Sequence, residues 1–244
     1  IFRRAAPCAE PTRPCIQGRL RTHPWDTKQM RARARLNLEG NMKRVMALTA
    51  LAAALAAPAA AEMRELRGFT EIVVSDGINL EVTAGSPYAV EVTGADASRV
   101  ETRVEGGVLR IRQRNRPWFG RSDLDADVRV SLPQLNGLAA SRGVSASATG
   151  IEAETFDLAA AMGAEVRVAG SCGALDAAAS MGAVIRAGEL HCRTVDVAAS
   201  MGADARVYAS ESYEGSASMG ASINVDGDGA SNGRATAMGG SIND

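Results

Sequence analysis

The sequence predicts an all-β protein built as a parallel β-solenoid, with one coil for every 18–20 residues. Met-Gly recurs at 162–163, 181–182, 201–202, 219–220 and 238–239, at steps of 19, 20, 18 and 19 residues. A fixed period of this length is typical of repeat proteins, in which each unit buries its apolar side against its neighbours. Arg142-Gly143 lies one step earlier, with Arg in the place of Met.

Within each unit, apolar residues alternate with polar ones. In one unit the apolar positions are Leu175, Ala177, Ala179, Met181, Ala183, Ile185 and Ala187. A period of two predicts a strand with one buried face, whereas a helix would place residues i and i+2 on opposite sides. Glycine in every unit also disfavours a helix. Each unit is therefore expected to form one coil, stacked on the next at about 4.8 Å.

The methionines share the parity of the apolar residues. They lie either in the interior or at a corner beside their glycines, and the parity favours a packing column in the core, where Met fills irregular gaps. Five thioethers in register also suit copper(I), a soft cation, but core packing is the interpretation that the pattern favours. The glycine after each Met permits a bend or a positive φ.

The N-terminal part has the organisation of an export signal. Residues 1–41 are rich in Arg and Pro and show no periodic pattern, so we interpret them as an upstream extension that is not native or is disordered. From Met42, two basic residues precede an apolar run over 45–57 and a small-residue site, which predicts a signal peptide over 42–61 cleaved near Ala61. The run is short for a membrane anchor, the alternative interpretation. We therefore expect an exported protein of the periplasm or cell surface.

Residues 62–244 are predicted to form a single solenoid domain, with a first half over 62–135 and the Met-Gly repeats over 136–244. This part has 16 Arg, no Lys and 25 acidic residues, so its net charge is −9. Such an acidic domain is a poor nucleic-acid binder and is repelled by anionic lipid surfaces. We expect neither nucleic acid nor a stable membrane span.

The first half carries a family resemblance. Residues 66–85 read LRGFTEIVVSDGINLEVTAG, residues 90–94 read VEVTG, and residues 104–111 read VEGGVLRI. With the repeats that follow, this order resembles the bacterial family called putative autotransporter adhesin head GIN domain, a domain of unknown function. The resemblance implies a right-handed parallel β-helix in an exported protein, and it supplies no catalytic residues.

Two cysteines occupy one column of the repeat. Cys172 and Cys192 each precede a Met by nine residues, which places them in adjacent coils. Neighbouring strands bring Cα atoms within the range of a disulfide, and exported proteins meet oxidising conditions. The alternative is a pair of small buried thiols. With His191, these cysteines match no standard zinc pattern, and His191 is interpreted as a turn residue.

Two charged columns are predicted on the outer surface. The acidic column consists of Asp157, Asp176, Asp196 and Glu214. Calcium between coils would relieve the repulsion of these stacked carboxylates, but a solvated face is the favoured interpretation. The basic column consists of Arg167, Arg186 and Arg206. It suits sulfate, phosphate or acidic sugars, or it neutralises acidic neighbours on the same surface.

The segment 112–121 breaks the strand pattern and places four arginines around two aromatic residues. Its candidate interaction residues are Arg112, Arg114, Arg116, Trp118, Phe119 and Arg121. Such a loop suits a polyanion or a partner protein. The alternative is a linking loop whose aromatic residues cover the solenoid.

Together these patterns predict a non-enzymatic adhesion or interaction module of the cell envelope, with no cofactor and with an unknown protein or glycan as partner. One alternative is a carbohydrate-active β-helix enzyme, a lyase or hydrolase, which requires converging acids and bases. The other is a structural solenoid that self-associates through open strand edges.

Overall fold

The computed structural model describes residues 61–115 and 124–244. The predicted upstream extension and almost all of the predicted signal peptide lie outside the described residues. Within the described part there are fifteen strands, one short 3₁₀ turn at Ala97–Arg99 and no α-helix. The strands of the first half are β1 Glu62–Arg64, β2 Glu71–Ser75, β3 Asn79–Ala84, β4 Ala89–Thr93, β5 Val100–Glu105, β6 Val108–Gln113 and β7 Asp127–Leu132. The remaining strands are β8 Gly137–Ser141, β9 Ser145–Ala161, β10 Glu165–Ser180, β11 Val184–Ser200, β12 Asp204–Ser218, β13 Ser222–Asp226, β14 Ala230–Ala237 and β15 Ser241–Asn243.

The long strands β9 to β12 stack in parallel, one coil upon the next. Leu175 of β10 pairs with Phe156 on one side and with Val195 on the other, and Val195 pairs with Tyr213 of β12. The register therefore advances by one repeat unit per coil, as the sequence period requires. The predictions of an all-β fold, of a β-solenoid and of the coil length are confirmed.

The interior consists of columns of aliphatic side chains. One column holds Val166, Ile185, Ala205 and Ile223, all of them buried. A second column lies next to the Met-Gly turns and is alanine in the four coils that begin at these turns: Ala164, Ala183, Ala203 and Ala221. Because alanine occupies little width, the two sides of the coil can approach each other closely where the chain reverses, while the larger side chains fill the wider part.

The methionines contradict the prediction of a packing column. Met162, Met181 and Met201 are 43–46% exposed, and Met238 is 79% exposed. Each has a left-handed backbone, with φ between 48° and 54°, and is followed by a glycine of positive φ. In the second of these turns Ala183 N–H donates to the carbonyl of Ser180 at 3.2 Å. This is the pattern of a type I′ turn, whose central residues point away from the core.

The alternation placed the methionines wrongly because a two-residue turn reverses the chain without changing which positions are odd and which are even. Ala160 and Ala164 flank the first Met-Gly turn and are both buried, so Met162 between them is in phase with the core although the turn rotates it outward. The same corner is occupied earlier by Arg142 and Asp76, which also have positive φ. The expectation that the glycine permits a positive φ agrees with the observed backbone.

The first half joins the solenoid and closes its N-terminal end. Strands β2 and β3 pair in parallel with β8 and β9, and β7 adds to β3. Beyond β7 the pairing becomes antiparallel, first with β4 and then with β1, and β5 pairs antiparallel with β6. Among the described residues no helix is long and apolar enough to span a bilayer.

Candidate functional site

The three predicted arginines form a continuous column on one outer face. Arg167 pairs with Arg186, and Arg186 pairs with Arg206, on successive parallel strands. On the other side Arg167 pairs with Ser147 of β9, and Ser147 pairs with Glu81 of β3. This row of side chains, which points outward because it alternates with buried residues, is called the Arg face below.

The structure adds a fourth arginine to the Arg face. Arg129 of β7 pairs with Glu81, so it lies on the same row, two strands before Ser147. Sequence reasoning missed it because Arg129 precedes the repeats and reaches the row through the non-local pairing of β7 with β3. A sequence feature that could have identified it is the alternation of polar and apolar residues around it, which places Arg129 on the outer side of its strand together with Asp127 and Ser131.

A shallow groove follows the Arg face. It consists of two adjoining depressions of about 570 and 350 Å³, which share Ser147 and Arg167 in their linings. Arg186 and Arg206 line the first depression, and Arg129 lines the second. The short side chain of Ser147 stands between the longer ones of Glu81 and Arg167, and this lowers the floor where the two depressions meet.

An irregularity in β11 forms one wall of this groove. Ala187 pairs with Val207 and His191 pairs with Tyr208, so β11 contains three extra residues, Gly188 to Leu190, where β12 has none. The insertion is a bulge, a device that re-aims side chains and bends a strand. Gly188 and Glu189 line the depression.

An aromatic pair lies directly after the bulge. The rings of His191 and Tyr208 are in contact, with centroids 4.4 Å apart and planes tilted by 45°. The prediction of a turn residue was wrong for His191, which lies within β11 with its side chain exposed. Tyr208 pairs with Asp226 of β13, a lining residue of the groove, so the aromatic pair stands at the edge of the groove.

Carboxylates accompany every arginine of the Arg face. Glu165 accepts a hydrogen bond from Arg167 at 2.6 Å and contacts Arg186 as well. Asp226 accepts two hydrogen bonds from Arg206, at 2.6 and 3.1 Å. Arg129 lies 3.2 Å from Glu81. The groove is therefore a mixed surface of donors and acceptors rather than a purely basic one.

In the Arg206–Asp226 pair, each group shifts the pKa of the other. The hydrogen bond from the guanidinium lowers the pKa of Asp226, and the carboxylate raises the pKa of Arg206. Both groups stay charged over the whole physiological range. Because the Arg206 side chain remains 61% exposed, part of its planar fork is accessible to a ligand.

The predicted acidic column lies on a different outer face. Asp176 pairs with Asp157 and Asp196, and Asp196 pairs with Glu214. These four residues line a depression of about 420 Å³. Partial burial, and then the charges of Asp196 and Asp157, raise the pKa of Asp176.

The acidic column has a fifth member that the sequence did not indicate. Glu71 of β2 pairs with Gly137, and Gly137 pairs with Asp157; the Glu71 side chain extends over the space that glycine leaves. The residues that the structure describes include no group of three or more His, Cys, Asp or Glu side chains placed to hold a metal ion. Calcium binding at Asp157, Asp176, Asp196 and Glu214 stays an alternative to the solvated acidic face that the sequence favours.

The two cysteines meet inside the coil stack. Cys172 and Cys192 pair in register on β10 and β11, with their Cα atoms 4.5 Å apart and their sulfurs joined in a disulfide. Both residues are buried. A bridge of this kind leaves no thiolate for a zinc ion.

The segment 112–121 is only partly within the described residues. Strand β6 continues through Gln113, so the expectation that the strand pattern breaks at Arg112 was wrong for its first two positions. Arg112 lies 3.3 Å from Glu101 on the antiparallel neighbour β5. Arg114 follows the strand and donates its backbone N–H to the carbonyl of Arg99. Arg116, Trp118, Phe119 and Arg121 lie outside the described residues.

With this geometry established, comparison with known proteins identifies the family. A family model described as "Putative auto-transporter adhesin, head GIN domain" matches residues 68–229. The chain belongs to this family. The match covers the first half of the solenoid and all of the repeats through β13, and it confirms the resemblance drawn from residues 66–111.

A solved structure of low sequence identity shares the fold. A putative adhesin from Bacteroides fragilis NCTC 9343 is 13% identical, with a TM-score of 0.56 over 75% of this chain and 94% of that one. A putative adhesin from Parabacteroides merdae ATCC 43184 is also 13% identical, with a TM-score of 0.45 over 75% of this chain and 95% of that one. At these identities the likeness concerns the fold, and only the first similarity is strong enough to support it. A search of curated proteins found no match.

Proposed function

We propose that this protein is a non-enzymatic adhesion module of the cell envelope that binds an extended glycan along the Arg face. Its family is described as adhesin-like, which supports an interaction role. The observation that carries the proposal is the groove, in which four arginines lie along one row and each of them contacts a carboxylate.

The dimensions of the groove favour a chain-like ligand. The row from Arg129 to Arg206 crosses six neighbouring strands, β7, β3, β9, β10, β11 and β12. Five strand spacings of about 4.8 Å give a length of about 24 Å. A linear oligomer fills such a row, whereas a single small molecule is usually enclosed by a deeper cavity.

The chemistry of the lining favours a ligand rich in hydroxyl groups. Guanidinium groups donate several hydrogen bonds in a plane and grip carboxylates or sulfates, while Glu165, Glu189 and Asp226 accept hydrogen bonds from hydroxyls. Tyr208 and His191 add an aromatic surface at the edge. A polyanion without hydroxyls suits this surface less well, because the domain over 62–244 carries a net charge of −9.

The alternative of a glycan-cleaving enzyme receives less support from this groove. Such an enzyme needs one carboxyl with a raised pKa as general acid and a second carboxylate placed opposite. Asp226 has a lowered pKa because Arg206 binds it. Glu165 is also held between two arginines. Asp226 is therefore suited to binding rather than to proton donation.

A glycan array that contains neutral, uronic-acid and sulfated oligosaccharides tests the proposal on the full chain. We expect binding to uronic-acid or sulfated chains, and a loss of at least about tenfold in affinity in the double variant Arg167→Gln/Arg186→Gln. Arg103→Gln is the matched control, because Arg103 is also exposed and paired with a glutamate but lies on β5, outside the groove. Failure of the wild-type protein to bind any glycan, or equal binding by both variants, would contradict the proposal.

A further inference from the structure

The five methionines of the turns form a uniform, outward-facing row, called the Met ladder below. It comprises Met162, Met181, Met201, Met219 and Met238. Four of the side chains have exposures of 43–51%, and the fifth, at the last coil, is 79% exposed. The backbone φ varies by only 6° across the row, from 48° to 54°, so the side chains leave the corner in nearly the same direction.

Backbone hydrogen bonds keep these turns in register. Gly163 N–H donates to the carbonyl of Met181, and Gly182 N–H donates to that of Met201, both at 3.1 Å. The same bond joins Gly202 to Met219 at 3.0 Å and Gly220 to Met238 at 3.2 Å. The corner is therefore a continuation of the sheet, and successive methionines stand one strand spacing apart, about 4.8 Å.

Folding alone does not account for Met at this position. The first central residue of a type I′ turn is usually Asn, Asp or Gly, because other residues cost roughly 1–2 kcal/mol in the left-handed conformation. Asp76 occupies the equivalent corner of an earlier coil with φ 74°, so the fold accepts the usual residue. The exposed methionines offset this cost with little burial.

We propose that the Met ladder binds soft monovalent cations, namely Cu(I) and its redox-inert analogue Ag(I). Thioether sulfur is a soft ligand that favours such ions over hard cations such as Mg²⁺ or Ca²⁺. Successive methionines are anchored one strand spacing apart, about 4.8 Å, and their flexible side chains allow two thioether sulfurs to approach a single ion. Each ion is held between methionines of adjacent coils.

Binding at the Met ladder has a chemical signature that separates it from other metal sites. A thioether has no proton to lose, so binding persists at pH 5, where cysteine and histidine sites weaken because their ligands are protonated. The residues beside the turns are small and neutral, among them Ser180, Ser200 and Ala161. Cys172 and Cys192 are joined in the disulfide, and Ag(I) requires no reductant that would open it.

The direct test is NMR spectroscopy of the full chain labelled with ¹³C at the Met ε-methyl groups. Silver nitrate is added in chloride-free buffer at pH 5, and single Met→Leu variants assign the signals. We expect the signals of the Met ladder to shift together, whereas that of Met63, an exposed Met on β1, stays in place. No shift at a fivefold excess of Ag(I) over ladder methionines, or an equal shift of Met63, would overturn the proposal.

A second test measures affinity by calorimetry with Ag(I) in a full-length background that carries Cys8→Ser and Cys15→Ser. The variant Met181→Leu/Met201→Leu keeps a side chain of similar size in the same turn conformation but removes two central sulfurs. We expect the affinity to fall at least about tenfold, whereas the control Met63→Leu leaves it unchanged. Retained affinity in the double variant would overturn the proposal. So would ladder signals that respond to uncharged lipid vesicles but not to Ag(I), since the row would then be an apolar contact surface.

Discussion

Asp176 lies at the centre of the acidic column, where its surroundings disfavour the ionised form of its carboxyl. It stands between Asp157 and Asp196 at one strand spacing on either side, and its pKa is raised, first by burial and then by these two neighbours. A carboxyl with a raised pKa in the folded state binds its proton more tightly than in the unfolded state. Its contribution to stability is therefore most favourable at low pH and declines as the pH rises through the folded pKa.

We predict that Asp176→Asn raises the melting temperature at pH 7 by about 1–3 °C, because it removes the repulsion in the middle of the column. The gain should disappear near pH 3, below the ordinary Asp pKa of about 3.9, where the wild-type carboxyl is itself neutral. Thermal unfolding across this pH range checks both statements. Asp204→Asn, at an exposed position outside the column, serves as control, and an equal gain in that variant would count against the explanation.

Some residues could be placed from the sequence and others could not, for a physical reason. The alternation placed Leu175, Ala177 and Ile185 correctly in the core, because burial follows directly from a period of two. It misplaced the methionines, because two residues with positive φ reverse the chain without changing the count. It omitted Arg129 and Glu71, because their positions depend on which distant strands pair.

At the scale of the element, each coil is a strand with two kinds of corner. One corner is the Met-Gly turn, whose glycines have free space around them: a Cβ added to Gly163 would meet no atom within 4 Å. The other bends are tight. Gly170 has φ 144°, and an added Cβ would collide with the backbone oxygen of Ile151 on the neighbouring coil. Gly163 is required for its backbone conformation alone, whereas Gly170 is required both for its positive φ and for the space it leaves to Ile151.

We therefore expect Gly170→Ala to be far more destabilising than Gly163→Ala. The second substitution adds only the cost of a left-handed alanine, about 1 kcal/mol. The first also forces adjacent coils apart and should cost about 3 kcal/mol or more. Urea unfolding of both variants measures the difference. Equal losses would show that the coils separate at little cost near Ile151.

The disulfide joins two elements that are already hydrogen-bonded. It closes a segment with a sequence separation of 20, for which loss of chain entropy in the unfolded state predicts a stabilisation of about 3 kcal/mol. We expect Cys172→Ala/Cys192→Ala to lose about this amount in urea unfolding. Peptide mapping without reduction should recover the linked pair, and free thiols at both positions would contradict the bridge.

For the whole molecule, the architecture was readable from the sequence because it is periodic. Every coil has the same pattern of buried and exposed positions and the same turn, and the family match over 68–229 agrees with this pattern. The N-terminal end was less predictable, since the antiparallel pairings of β4 with β7 and of β5 with β6 follow no repeat. The groove also escaped prediction, because it arises from a short side chain at Ser147 and a bulge at Gly188, both departures from the repeat.

Export is a property of the whole chain that a single measurement checks. If residues 42–61 are a signal peptide, protein recovered from the periplasm or the cell surface should begin at Glu62, as determined by mass spectrometry of its N-terminal peptide. Lys43→Glu/Arg44→Glu should leave the protein uncleaved inside the cell, because the basic residues orient the signal during translocation. A mature protein that still contains residues 42–61 would refute this cleavage site.

The stacking of coils has a mechanical consequence. A load along the solenoid axis peels away one coil at a time, because each coil is bonded only to its neighbours. A released coil of about 19 residues extends to roughly 65 Å, at about 3.4 Å per residue, so the molecule lengthens in equal steps under a nearly constant force. The Cys172–Cys192 bridge limits that extension at the centre of the stack. A solenoid with these properties would absorb sudden tension coil by coil before the whole domain unfolds.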